Sequence, residues 1–263
     1  MIRHLVFTAS CLCVLFSAGC VAVDAHFPLA RMDSPESQGL DRKFRLTTGV
    51  SQMHELQVVD NAGDRPVSTD SAYLSTVKSA MALGAYGLSE NFDVGFRFTL
   101  GKAPVMVSAK MQLLGQPASI AEAGNLSLAL TAGIGYWDEK KNGTQNQFGG
   151  RADYPWDLSL TSRNYDLGAI VGYRPFDRIL VFGGPFYTYY DVNIVLAHAQ
   201  SSASAKHDYV FEYDGHQLGM NVGASAEMTD AIDLMCEALI SQIQIKDLKN
   251  TALSGSAAIS FRF

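Results

Sequence analysis

The chain has 263 residues, 48% of them hydrophobic and only 17% charged, with 23 glycines, 11 tyrosines, 14 phenylalanines and a formal charge of -6. This length allows one large domain or two small ones. A negative balance with no run of Lys or Arg excludes a phosphate-binding stripe for nucleic acid, and so little charge is thin for a surface that meets only water.

In chain order, the first element is an export signal. Arg3 and His4 precede an apolar run over residues 5–16, followed by the small residues Ser17, Ala18 and Gly19, which is the charged, apolar, small-residue order of such signals. Residues 5–23 also have the length of a membrane-crossing helix, so an uncleaved anchor is the competing reading. Cys20 directly follows Ser-Ala-Gly, and LFSAGC resembles the lipobox of bacterial lipoproteins, although Ser17 stands where Leu is usual. The resemblance implies that residues 1–19 are removed, that Cys20 is acylated, and that the chain is sorted to the outer membrane, because Val21 rather than Asp follows. Cys11 and Cys13 would leave with the signal, so Cys236 is the one thiol left and no intrachain disulfide is available. Residues 20–41 include the polar, turn-rich MDSPESQGLD and are expected to form a flexible tether entering from the periplasmic side.

Residues 42–263 carry a period of two in place of a helical period. In FDVGFRFTL, Phe92, Val94, Phe96, Phe98 and Leu100 share one face, and Asp93, Gly95, Arg97 and Thr99 the other. PVMVSAKMQLL and NLSLALTAGIGYW alternate in the same way. A half-buried strand of a soluble sandwich also alternates, but its second face is usually rich in Lys and Glu. Here that face is Gly, Ala, Ser and Thr with isolated charges, which suits a crowded barrel interior with the apolar face turned to lipid. Turn residues divide the domain into about ten strands, with eight or twelve as alternatives: 42–60, 72–87, 91–100, 103–114, 125–138, 158–174, 178–197, 207–228, 231–246 and 251–263. The tight connections at 86–94, 173–181 and 226–234 then fall on one side, and the long polar ones on the other, as outer-membrane barrels divide periplasmic turns from outside loops. The predicted fold is all-β, an up-and-down antiparallel transmembrane barrel.

The chain ends AAISFRF, which resembles the C-terminal signature of bacterial outer-membrane barrels, with Phe263, Phe261 and Ile259 in its alternating apolar positions. The resemblance implies that this strand is the signal read by the barrel-assembly machinery, and that outer-membrane lipid surrounds the wall.

Turning the apolar face outward places Lys78, Asp93, Arg97, Lys110, Asp166, Asp233, Glu237 and Arg262 in the lumen, where they are expected to pair and fill it; an ion path is the alternative. Asp214 and His216 in EYDGHQLG, with Asp60 and Asp64 on another outside loop, invite comparison with omptins, ten-stranded outer-membrane proteases that use an Asp/His pair opposite an Asp pair. The surrounding residues do not resemble omptin motifs. The six histidines show no metal-ligand spacing with a third ligand nearby, and the glycine-rich pieces do not sit between strand and helix, so neither metal nor cofactor is expected. Phe186, Tyr187, Tyr189 and Tyr190 in FYTYYDV read as an interfacial girdle. The functional expectation is a structural or surface-interaction barrel with a filled lumen and no catalytic site, meeting an extracellular ligand through outside loops near 139–157 and 197–207. A barrel enzyme acting on peptide or lipid and a small-solute channel are the alternatives.

Overall fold

In the computed structural model, the described residues are 20–41, 43–61, 72–101, 103–146, 153–199 and 206–263. They form eleven strands: β1 (Cys20–Pro28), β2 (Phe44–Asn61), β3 (Ala72–Ser89), β4 (Phe92–Thr99), β5 (Val105–Leu114), β6 (Leu126–Asn146), β7 (Asp153–Phe176), β8 (Ile179–Ala199), β9 (Lys206–Thr229), β10 (Ile232–Ile245) and β11 (Leu248–Arg262). Strands β2 to β11 follow one another as an antiparallel meander. β2 pairs with both β3 and β11, which closes ten strands into a barrel. Closure satisfies backbone groups that would otherwise stand unpaired in hydrocarbon at several kcal/mol each. The seam runs through the last residues of the chain: Arg45 to Val50 pair with Arg262 to Ala257, and Phe44 and Phe263 exchange both backbone hydrogen bonds.

The expected faces hold over the lower part of the wall. Leu130, Ile134, Leu167, Val171, Leu218, Val222, Ile240, Leu253 and Ile259 project outward and are exposed, while Ser127, Thr131, Asp166, Asn221, Ser225, Ser254 and Ser260 are buried inside. Tyr136, Tyr165, Tyr187 and Tyr189 form an upper outward row, and Tyr86, Tyr173, Phe176 and Phe263 a lower one. On β7 the rows are set by Tyr165 and Tyr173, about 26 Å apart along the strand at roughly 3.3 Å per residue. Tilted, that spacing approaches the ~25 Å apolar band of an outer-membrane barrel.

Above the upper row the polarity of the strands reverses. Outward positions become Arg163, Asp191, Glu212 and Asp214, which are exposed, whereas Leu158, Leu160, Val192, Ile194, Leu196, Phe211, Tyr213, Ile243 and Ile245 turn inward and are buried. Each of the strands β7 to β9 thus carries exposed apolar residues on its outer face below and a buried apolar core on its inner face above. What fills that upper core was not expected. Above Ser51, β2 leaves β11 and pairs with β1, Met53 to Asn61 against Pro28 to Cys20. With the upper part of β3 they make a three-stranded cap, whose Ala25, Phe27, Leu56 and Val58 pack on the inner faces of β7 to β10, flanked by Ala72 and Leu74.

Residues 20–41 are therefore not a free tether. β1 starts beside Asn61, at the end of β2 remote from the tight turns, and residues 29–38 descend through the lumen, buried apart from a half-buried Asp33. The chain emerges by the tight turns, where the Gly39 carbonyl oxygen lies so close to Gly87 that a β-carbon there would stand 2.2 Å from it. The described N-terminus thus lies at the long-strand end of the barrel, not at the short-turn end where the sequence reading placed it. The reason is visible in Phe27, Leu29 and Met32: each is buried inside the barrel at 3% exposure or less, a burial that a tether in water would forgo.

Phe27, with its ring 4.5 Å from that of Tyr190, should be the keystone of the cap. Phe27→Ala is expected to cost about 3–5 kcal/mol locally. Hydrogen exchange should then accelerate in β1 and the upper half of β2 while the lower wall stays protected; uniform acceleration would show that cap and wall are one cooperative unit.

Candidate functional site

The lumen gathers almost all of the charged residues singled out from the sequence. Asp93, Arg97, Asp166, Asp233, Glu237 and Arg262 are buried inside, and Lys110 reaches the same space, with 12% of its side chain exposed. Lys78 does not join them. It lies on the outer face of β3 and is exposed. Small residues on its face, Ala80, Ala82 and Gly84, resemble the small lumen-facing residues of the other strands. In β3, however, they make room outside, where the Phe96 ring lies over Gly84 so closely that a β-carbon there would stand 2.1 Å away. Met81 and Leu83 take the inner face instead, beside Met32.

The buried charges hold the chain's own N-terminal segment more than they hold one another. Arg31 forms a two-pronged ion pair with Asp166, its second nitrogen 2.6 Å from Oδ2, and its guanidinium lies 4.3 Å from the centre of the Phe186 ring. Thr188 donates to the same carboxylate at 2.6 Å. Glu237 accepts the backbone N–H groups of Arg31 and Met32 at 3.2 and 2.5 Å. Lower down, Lys110 donates to the carbonyls of Ser34 and Glu36 at 3.0 and 2.7 Å, and Asp93 accepts the Gln38 N–H at 3.0 Å. Gln112 accepts that of Ser37 at 2.6 Å. Four wall side chains thus satisfy the main chain of an extended plug, which could not otherwise be buried without orphaning its polar groups.

Beneath the plug runs an alternating chain of charges. Glu36 pairs with Arg174 at 2.7 Å, Arg174 with Glu227 at 2.9 Å, Glu227 with Arg262 at 3.0 Å and Arg262 with Asp233 at 2.8 Å. Here the sequence reading was incomplete. Arg45, buried between the outward-leaning Phe44 and Leu46, and Arg174, buried beside Tyr173, both carry the alternation that would have revealed them. Arg31, Asp33 and Glu36 lay in the supposed tether, and Glu227 in a supposed turn. The apolar Phe27 and Leu29, out of place in a tether, were the available signal.

Among the described residues, no catalytic constellation forms around Asp214 and His216. Both are exposed on the outer face of β9, where His216 stacks on Tyr187 with ring centres 6.2 Å apart. Asp60 lies at the tip of β2, paired with Val21, and Asp64 lies outside the described residues. FYTYYDV divides by strand period: Tyr187 and Tyr189 stand in the outward row, while Phe186 and Tyr190 are buried against the plug and the cap. Among the described residues, no group of three His, Cys, Asp or Glu side chains could hold a metal, and Cys236 is a free thiol on the outer face. The connection at 139–157 is largely strand, since β6 continues to Asn146 and β7 begins at Asp153; residues 62–71, 147–152 and 200–205 lie outside the described residues.

No family model matches the chain, and no curated protein matches it. Among solved structures it is similar to Neisserial surface protein A, with 12% identity over 84% of this chain and 97% of that one and a TM-score of 0.32. It is also similar to Ail, the attachment invasion locus protein of Yersinia pestis, with 8% identity, 85% and 100% coverage and a TM-score of 0.33. A third likeness is to the outer membrane protease OmpT of Escherichia coli, with 8% identity, 93% and 96% coverage and a TM-score of 0.36. Scores this low assign no function.

Proposed function

We propose that the protein is a non-enzymatic outer-membrane barrel of structural or surface-interaction type, plugged by its own N-terminal segment, which presents its long-strand end to partners outside the cell. The observation that carries this reading is the lumen: residues 29–38 occupy it, and the wall charges that would otherwise line an ion path or a catalytic cleft are bound to them. Tight turns at 89–92, 176–179 and 229–232 suit the periplasmic side. The hairpin tips near 139–157 and 197–207 suit contact with an extracellular ligand, since long strands carry them well beyond the upper tyrosine row. Lipid would surround the wall between the two aromatic rows, and the last strand, ending in Ile259, Phe261 and Phe263, would serve as the signal for the assembly machinery.

A tag placed between Gly149 and Gly150 should bind antibody on intact cells, and one placed between Asp230 and Ala231 only after the outer membrane is opened; the reverse pattern would invert the orientation. Purified protein in planar bilayers should pass no steady current, and regular conductance steps from the intact chain would favour a channel instead. The lipobox reading carries its own test. Mass spectrometry of the N-terminal peptide should find a diacylglyceryl thioether on Cys20, and a mature chain starting at any other residue would remove the lipid anchor from the proposal. If acylated, Cys20 would hold that anchor beside Asn61, at the long-strand end.

A further inference from the structure

Between the plug and the lower wall lies a cavity of about 40 Å³, bordered by Asp33 and Gln38 of the plug, Arg45 of β2, Asp93 and Arg97 of β4, and Lys110 of β5. A single water needs roughly 10–15 Å³ of such space, so there is room for a small occupant. Three of the bordering side chains carry a buried donor with no partner: Gln38 Nε2, Arg45 Nε and Arg97 Nε. All three residues are at least nine-tenths buried. They come from three separate segments, and no bordering residue carries an orphaned buried acceptor.

Three cations, Arg45, Arg97 and Lys110, and two carboxylates, Asp33 and Asp93, line the cavity. Lys110 takes Asp93 at 2.9 Å, and Arg97 takes Asp33 at 3.5 Å and lies 4.0 Å from Asp166. Arg45 lies 4.0 Å from Asp233, at the end of the alternating chain of charges beneath the plug. We propose that this cavity binds a small monovalent anion of the halide class, which accepts from Gln38, Arg45 and Arg97 together and fastens the plug to the wall. A water has two lone pairs and can accept from two of these donors, leaving the third without a partner. A buried donor left unpaired is costly, so one anion accepting from all three removes that cost at each of them.

Bromide is the probe. Crystals of the full chain soaked in bromide should show an anomalous peak within hydrogen-bonding distance of Arg45 and Arg97; water alone in the cavity at high bromide overturns the proposal. In solution, folded and urea-unfolded chain are separated by heat-modifiable gel mobility at constant sodium, with gluconate replaced stepwise by chloride. Once chloride exceeds its dissociation constant, each tenfold rise should lower the unfolded-to-folded ratio about tenfold. The double variant Arg45→Lys, Arg97→Lys keeps both charges but lacks both Nε donors, and should lose that dependence. Chloride dependence that survives in it would be general salt screening and would count against the site. Should this variant not fold, the bromide experiment on the unaltered chain decides alone.

Discussion

Removing residues 24–40, with the export signal joined to Asp41, should turn a silent barrel into a conducting one. The ten wall strands close through β2–β11 and β2–β3 pairing in which neither β1 nor the plug takes part, so the barrel keeps its hydrogen-bonded circuit. What it loses is the filling. An eight-stranded barrel is just filled by its own side chains, and diameter grows with strand number, so ten strands lined by Ser, Thr, Gly and Ala need something more, and the plug supplies it. Freed of the plug, Asp93, Lys110, Asp166 and Glu237 would face water. Planar-bilayer recording should show discrete current steps from the deletion protein and none from the intact one. A second variant keeps β1 and replaces residues 29–38 by glycine and serine; it removes Arg31 and Glu36 as latches and should flicker between closed and open levels. Silence from both, in protein that still migrates as a compact heat-modifiable band, would mean that the wall collapses to fill its own lumen.

The second large effect should come from a single carboxylate. Asp166 receives two guanidinium nitrogens of Arg31 and the Thr188 hydroxyl, and Arg97 lies 4.0 Å away. Asp166→Ala leaves Arg31 buried without its partner, the situation in which breaking a buried pair costs about 3–5 kcal/mol. Removing both charges together, as Arg31→Met with Asp166→Leu, should recover most of that loss, because apolar replacement of a buried pair is often near neutral. Urea midpoints of the unaltered chain, Asp166→Ala and the paired replacement measure this. If Asp166→Ala unfolds at the same urea concentration as the unaltered chain, the plug is not held through this pair.

The lower barrel was legible because two patterns run through it together: apolar side chains stand at alternate positions on the exposed outer face, and small ones fill the crowded interior. Ten strands, the tight-turn side and the closing strand ending in Phe263 all follow from that pattern, and the structure has each of them. Lys78 was misjudged because smallness has two causes. Gly84 is small to admit Phe96 outside, not to relieve crowding inside. The plug was not legible, since an extended segment held by side chains from distant strands has no period of its own. Residues 29–38 contain a proline, two serines and three charges that suit a loop in water as well as a rod in a barrel, and the partners that decide between them lie 23 to 206 positions away. The upper core was missed for a related reason. On β8 the inner face is apolar both below Tyr189, at Leu180, Phe182 and Phe186, and above it, at Val192, Ile194 and Leu196, so period alone could not reveal that the surroundings had changed.

The direction in which the plug runs also governs the order of assembly. The chain passes down the lumen before it reaches β2, and the contacts that hold it there reach as far as Glu237 of β10. The circuit closes where β2 pairs with β11, so plug and seam both depend on segments far apart in the chain meeting. Contacts of such long sequence separation form slowly, since the entropy of closing their loops is lost before they reward it. The final event in making this barrel should therefore be the one that traps its own N-terminal residues inside.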